Sequence, residues 1–92
     1  MRIDQTTRFK KQVKKLHVNQ KKDLDVAIHN IISNPELGEQ KKGVLKNVRV
    51  YKFKMQKQLT LCAYCVPSSQ KIILLSVSSH ENFYTGLENY VL

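Results

Sequence analysis

Hydrophobic residues recur at helical spacing near the start of the chain and predict an amphipathic helix. Phe9, Val13 and Leu16 follow one another at i, i+4 and i+7, which places them on one stripe. Thr6 or Thr7 can cap the start of this helix. The residues off the stripe are largely lysines, so the outer face of the helix is expected to be basic.

A second helix is predicted after a break at Val18-Asn19-Gln20, where Asn19 is a possible cap. It should end at Asn34-Pro35, because the residue before a proline is disfavoured in the helical region. We therefore expect the two helices to be antiparallel and joined by a tight turn. The buried face of the second helix consists of Leu24, Ala27, Ile28, Ile31 and Ile32.

Three strands are predicted in the second half of the chain, over Val48–Met55, Leu59–Val66 and Lys71–Val77. The turns between them, Gln56–Gln58 and Pro67–Gln70, are short enough to imply antiparallel hairpins. The third strand is apolar on both faces, which favours a central place in the sheet.

The two ends of the chain complete a single domain over residues 1–92. Met1–Gln5 can form an edge strand, and Ser78 with Glu81 has the capping-box spacing that predicts a last helix. The fold class is therefore α+β: an N-terminal helical hairpin packed on a small twisted antiparallel sheet, with a C-terminal helix. Phe83, Leu87, Tyr90 and Val91 are expected to form the packing face of that helix.

Net charge narrows the choice of partners. The chain has 16 Lys and Arg against 7 Asp and Glu, a formal net charge of +9. A polyanion or an acidic protein offsets the self-repulsion of such a chain, and nucleic acid is the first candidate. No apolar run approaches the ~20 residues of a membrane span, so we expect a cytoplasmic protein with no membrane partner.

Cysteine and histidine spacing gives no metal or redox site. Cys62 and Cys65 form a C-x-x-C pattern, but they lie in a predicted strand and should point to opposite faces. We interpret both as buried structural residues, and His17 and His29 as surface residues. No cofactor and no metal are expected.

Lysines on the first predicted strand are the main candidates for chemistry. Strand alternation puts Lys52 and Lys54 on one face, and Arg49, Tyr51 and Phe53 on the other. Two lysines at this spacing lie about 7 Å apart, close to the repeat of a phosphate backbone. The pair therefore suits a polyanion. The alternative interpretation, which is equally common, is that the two lysines lie on a solvated outer face and bind nothing.

His80 and Tyr84 are the second pair of candidates. They are four residues apart in the predicted last helix and should share one face. Histidine exchanges protons near neutral pH, and tyrosine is a weaker acid–base group. Capping and core packing are the plain structural alternatives for these two residues.

Five groups of residues follow one another in order along nearly the whole chain. The segments are Phe9-Lys10-Lys11 with Lys14-Lys15-Leu16, Asn34-Pro35 with Gly38, Val50-Tyr51-Lys52-Phe53-Lys54, Leu59 with Ala63-Tyr64, and Ser79-His80-Glu81-Asn82-Phe83-Tyr84. As an ordered set they resemble the RelE/ParE superfamily of bacterial toxins. The resemblance implies the fold above and an acidic antitoxin partner. RelE-like members cut mRNA in the ribosomal A site, where the 2′-hydroxyl of the messenger attacks the adjacent phosphate.

Carried to this chain, the resemblance implies a metal-independent endoribonuclease that works on the ribosome. Lys52 and Lys54 match the strand lysines that activate the nucleophile and hold phosphate, and Tyr84 matches a late tyrosine. His80 stands where some members have arginine or histidine. The expected RNA-binding residues are Arg49, Lys10, Lys11, Lys14 and Lys15.

Two other functions stay open. A ParE-like inhibitor that binds DNA gyrase without chemistry is favoured by the absence of a basic residue from Leu59 to Val66, where arginine is usual in RelE-like members. The same fold supports both activities. A double-stranded RNA-binding module has a similar αβββα order, but it would place lysines at the start of the last helix, where this chain has Ser79-His80-Glu81-Asn82.

Overall fold

The computed structural model of the protein describes residues 1–43 and 47–80. This part of the chain is α+β, with two helices and one five-stranded sheet. None of its helices has the length and apolar character needed to cross a membrane. The elements are β1 (Arg2–Gln5), α1 (Thr7–Lys14), α2 (Val18–Ser33), β2 (Glu39–Gln40), β3 (Arg49–Met55), β4 (Gln58–Ser68) and β5 (Lys71–Ser79).

The sheet is mixed, which corrects the prediction of an antiparallel one. Its strand order is β1-β5-β4-β3-β2, and β1 runs parallel to β5 while the other neighbours are antiparallel. Strand β5 has a neighbour on both sides, as its apolar faces predicted, although β4 is the midpoint. The chain begins with a strand, so the predicted N-terminal helical hairpin is not confirmed as the opening unit of the fold.

Strand alternation divides the core between the two faces of the sheet. On the first face, α1 contributes Phe9 and α2 contributes Leu24 and Ile31 to one buried cluster with Cys62 and Tyr64 of β4. The second face carries a separate buried cluster, which consists of Val48, Val50, Leu61, Ala63 and Leu75. The helices thus pack on one side of the sheet, and side chains of the second cluster point to the other.

The N-terminal part of the chain closes the edge of β5 beyond the end of β1. Thr6 donates its backbone N–H to the carbonyl of Leu74 and its hydroxyl to the carbonyl of Leu75. Gln12 of α1 then accepts from the backbone N–H of Val77 at 2.8 Å. These contacts, one from a backbone N–H and two from side chains, satisfy strand groups that would otherwise form an unpaired edge.

Several predicted boundaries need correction. Helix α2 begins at Val18, and the backbone N–H of His17, the residue before it, donates to the side-chain oxygen of Gln20 at 2.8 Å, so Asn19 is not the cap. Ser78 does not cap a last helix, because it belongs to β5 and pairs with Leu61. The predicted packing residues of that helix, Phe83, Leu87, Tyr90 and Val91, lie outside the described residues.

Candidate functional site

Three neighbouring strands bring the predicted β3 lysines close to the end of β5. Lys52 is the register partner of Leu61 on β4, which in turn pairs with Ser78 on β5. One row further, Lys54 pairs with Leu59, and the carbonyl of Leu59 accepts the backbone N–H of His80 at 3.3 Å. Neighbouring strands lie about 4.8 Å apart, so His80 is separated from Lys54 by about two strand spacings.

Lys52 and Lys54 form a free pair of positive charges. Both side chains are exposed, and neither has an ion-pair or hydrogen-bond partner within residues 1–43 and 47–80. They alternate with Tyr51 and Phe53, which pack against the cluster under the helices. The lysines therefore point to the sheet face opposite α1 and α2, as the sequence predicted, and are accessible to an anion.

Arg49, the third basic residue of β3, lies on the helical face and holds a loop. One guanidinium nitrogen donates to the carbonyls of Glu36 at 3.2 Å and Gly38 at 2.9 Å. The same loop is held by Tyr64, whose hydroxyl donates to the carbonyl of Pro35 at 2.7 Å and accepts from Gly38 N–H at 2.9 Å. Burial raises the pKa of Tyr64, which keeps this hydroxyl protonated.

The turn that follows the two lysines is fixed by a carboxylate on α2. Gln56 and Lys57 have φ values of 50° and 71°, the left-handed values of a type I′ hairpin. Asp23 accepts the backbone N–H and the side-chain amide of Gln56, each at 2.8 Å. These two bonds, the backbone one foremost, lower the pKa of Asp23 from its ordinary value of 3.8.

We expect the Asp23 contact to make stability depend on pH in the acid range. A carboxyl whose pKa is lowered on folding stabilises the protein above its unfolded pKa, and this contribution is lost as the pH falls through the folded pKa. Asp23→Asn should therefore lower the thermal midpoint at pH 7, and the difference from wild type should shrink below about pH 3.8. Asp25→Asn, at an exposed position of the same helix, is the matched control and should give no such pH-dependent difference.

The predicted α1 lysines and surface histidines are found at the protein surface. Helix α1 packs on the first face of the sheet, so its lysines lie on the helical side and do not join Lys52 and Lys54. His17 and His29 are exposed as predicted. The exposed lysines of this region are Lys10, Lys11, Lys14 and Lys15.

The two cysteines lie on opposite faces of β4, as predicted, and both are free thiols. Burial raises the pKa of Cys62 to about 12 and also raises the pKa of the half-buried Cys65. A raised pKa favours the protonated form of both thiols. Cys65 is only half-buried, which corrects the prediction that both cysteines are buried. Among the described residues no group of three or more His, Cys, Asp or Glu side chains is arranged to hold a metal ion.

The structure shows features of the site that the sequence did not predict, and it does not describe every predicted site residue. His80 follows the strand in a turn and is exposed, rather than lying in the first turn of a helix. Tyr84 is outside the described residues. Sequence reasoning missed the Asp23–Gln56 contact and the exposure of Leu59, because neither forms a local pattern.

The protein is a basic chain of the α+β class, with exposed lysines on one face of a mixed sheet. Within that class, the sequence matches the ParE-like toxin of type II bacterial toxin–antitoxin systems over residues 3–88. The chain therefore belongs to this toxin family. No curated protein sequence matches it.

Solved structures of E. coli RelE share the fold. A free RelE variant aligns with a TM-score of 0.73 at 18% identity, covering 99% of this chain and 97% of that one. RelE in the intact RelBE toxin–antitoxin complex gives a TM-score of 0.68 at 18% identity, over 87% and 96% of the two chains. The isolated RelE toxin gives 0.66 at 17% identity, over 99% and 98%.

Proposed function

We propose that this toxin is a ribosome-dependent mRNA endonuclease that uses the 2′-hydroxyl of the messenger as nucleophile. The observation that carries the proposal is the free, exposed pair Lys52 and Lys54 on one sheet face, with His80 at the end of β5 beside it. The likeness in fold to RelE supports the choice of reaction class. As a toxin-family member, the chain is expected to work inside the cytoplasm, where ribosomes are.

The reaction needs charge stabilisation and proton transfer. The 2′-oxygen forms a bond to the adjacent phosphorus, the bond to the 5′-oxygen breaks, and the products are a 2′,3′-cyclic phosphate and a 5′-hydroxyl. Lys52 and Lys54 stabilise the negative charge that grows on the phosphate oxygens. His80 takes part in moving the proton from the 2′-hydroxyl to the leaving oxygen, and Tyr84 is assigned either to this transfer or to stacking on a base.

The α1 lysines are proposed to bind RNA phosphates away from the point of cleavage. No acidic residue occurs from Gln5 to Lys22, so this part of the chain is uniformly basic. The sheet separates it from Lys52 and Lys54, because α1 packs on the opposite face. Arg49 lies on the helical face, where one guanidinium nitrogen donates to the loop carbonyls, so any RNA contact it makes is separate from the Lys52–Lys54 pair.

The antitoxin is proposed to be an acidic protein. Type II toxins act as one half of a pair, and the RelE structures include the toxin bound to an antitoxin. Acidic side chains on that partner would offset the net charge of +9 and cover the lysine pair.

Primer extension on an mRNA programmed into purified 70S ribosomes tests the proposal. The full-length chain should produce cuts within the A-site codon that need the ribosome. Naked mRNA under the same conditions should stay intact. A preparation that still arrests growth but makes no cut on programmed ribosomes would refute the nuclease.

A ParE-like gyrase inhibitor is the second candidate, and one observation favours it. Strand β4 carries no basic residue from Gln58 to Ser68, so the middle of the site lacks a positive charge. A supercoiling assay with purified gyrase separates the two candidates. Inhibition of supercoiling together with intact mRNA would establish the inhibitor, and the lysine pair would then be a binding surface.

A further inference from the structure

Leu59 occupies the centre of the site and is accessible. It is 37% exposed, whereas Leu61, which points to the same face one row away, is fully buried. Its register partner on one side is Lys54, and its carbonyl accepts the backbone N–H of His80 on the other. An apolar side chain is thus presented between a cation and a proton-transfer candidate.

The surroundings of Leu59 limit what it can contact. A phosphate gains nothing from a leucine and would be drawn to the ammonium groups of Lys52 and Lys54 on β3. A nucleobase has an apolar face about the size of a side chain, and aromatic or other apolar side chains of nucleic-acid sites pack against that face. The strand arrangement therefore offers a phosphate position beside β3 and a base position over β4.

We propose that Leu59 is the platform on which one nucleobase of the bound mRNA rests, which sets the phosphate attached to it against Lys52 and Lys54. The inference rests on the proposed nuclease function and names a positioning residue for it. A leucine offers no hydrogen bond to a base edge, so the contact does not discriminate among the four bases. The contact with Leu59 positions the nucleotide but gives the enzyme no codon preference.

Single-turnover and steady-state cleavage of programmed 70S ribosomes by full-length variants tests the platform. Leu59→Ala should lower kcat/KM about tenfold, because it removes about two methylene equivalents of apolar contact. The factor should be equal on A-site codons of different sequence, and the cleavage positions should not change. Leu59→Phe should retain activity, because an aromatic ring also packs on a base. Leu37→Ala, at a 41% exposed leucine in the loop between α2 and β2, is the matched control.

An mRNA with an abasic nucleotide, placed in turn at each A-site position, gives the decisive readout. At the position that rests on Leu59, loss of the base should slow wild type to the rate of Leu59→Ala and leave Leu59→Ala unaffected. Two changes that remove one contact are non-additive in this way. Independent, multiplying effects at every position would overturn the platform, and so would a Leu59→Ala rate equal to wild type. In both of those cases the wild-type protein still cleaves mRNA on the ribosome. If the proposed nuclease function is itself wrong, the wild-type protein makes no cut, so the two failures are distinguishable.

Discussion

Replacing both Lys52 and Lys54 with alanine should abolish cleavage of ribosome-bound mRNA and restore growth to cells that express the toxin. Each ammonium group is exposed and unpaired among the described residues, so the charge it offers to a phosphate is not offset by a carboxylate of that region. Removing one preorganised group that stabilises developing charge costs about 10²–10³ in kcat. A loss of at least about 10³-fold is expected for the double variant, measured by single-turnover primer extension.

Lys21→Ala/Lys22→Ala is the matched control for the loss of two charges. These lysines are exposed on α2, on the helical side of the sheet. The control should keep the cleavage rate at saturating ribosomes, with a weaker affinity at low salt as its main effect. Equal loss of kcat in both double variants would mean that net charge matters and the β3 pair does not.

Tyr64→Phe should be the most destabilising removal of a single oxygen atom in the described part of the protein. The hydroxyl is the partner of both the Gly38 N–H and the Pro35 carbonyl, and Tyr64 itself is fully buried. A buried donor or acceptor left without a partner costs about 1–3 kcal/mol. We expect the free energy of unfolding to fall by about 2–3 kcal/mol, measured by urea denaturation with an unchanged m-value.

Tyr51→Phe is the matched control, because it removes the same hydroxyl group at a position where that group contributes little to stability. The Tyr51 hydroxyl has one exposed contact, a 3.5 Å approach from the Asn30 side-chain amide. Its loss should change the free energy of unfolding by less than about 0.5 kcal/mol. Similar losses in the two variants would show that the Tyr64 hydroxyl does not hold the loop.

Local periodicity was enough to predict most elements of this fold. Alternation along β3 separates Lys52 from Tyr51, and the structure keeps them on opposite faces because the apolar residues of the strand must reach the core. The same argument places Cys62 and Cys65 apart. Patterns of this kind predict which residues share a face, since burial enforces the period.

Local periodicity could not predict which distant strands pair or where the strands end. Nothing in Met1–Gln5 indicates that it pairs in parallel with β5, because parallel register depends on residues far along the chain. Ser78 has the spacing of a helix cap, but pairing with Leu61 keeps it in the strand and leaves His80 in a turn. Register across strands is also what places Leu59 between Lys54 and His80, and no short motif encodes it.

The parallel pairing of β1 with β5 also determines how late in synthesis the sheet can be completed. Arg2 pairs with Lys71, which is synthesised roughly 70 residues later. Strand β1 therefore has no partner strand while the residues between them are being made. At about 5–20 residues per second, that delay is about 4 to 14 seconds for each nascent chain. The sheet can close only after β5 has been made, so the lysine pair on β3 and the end of β5 come together late in the synthesis of residues 1–80.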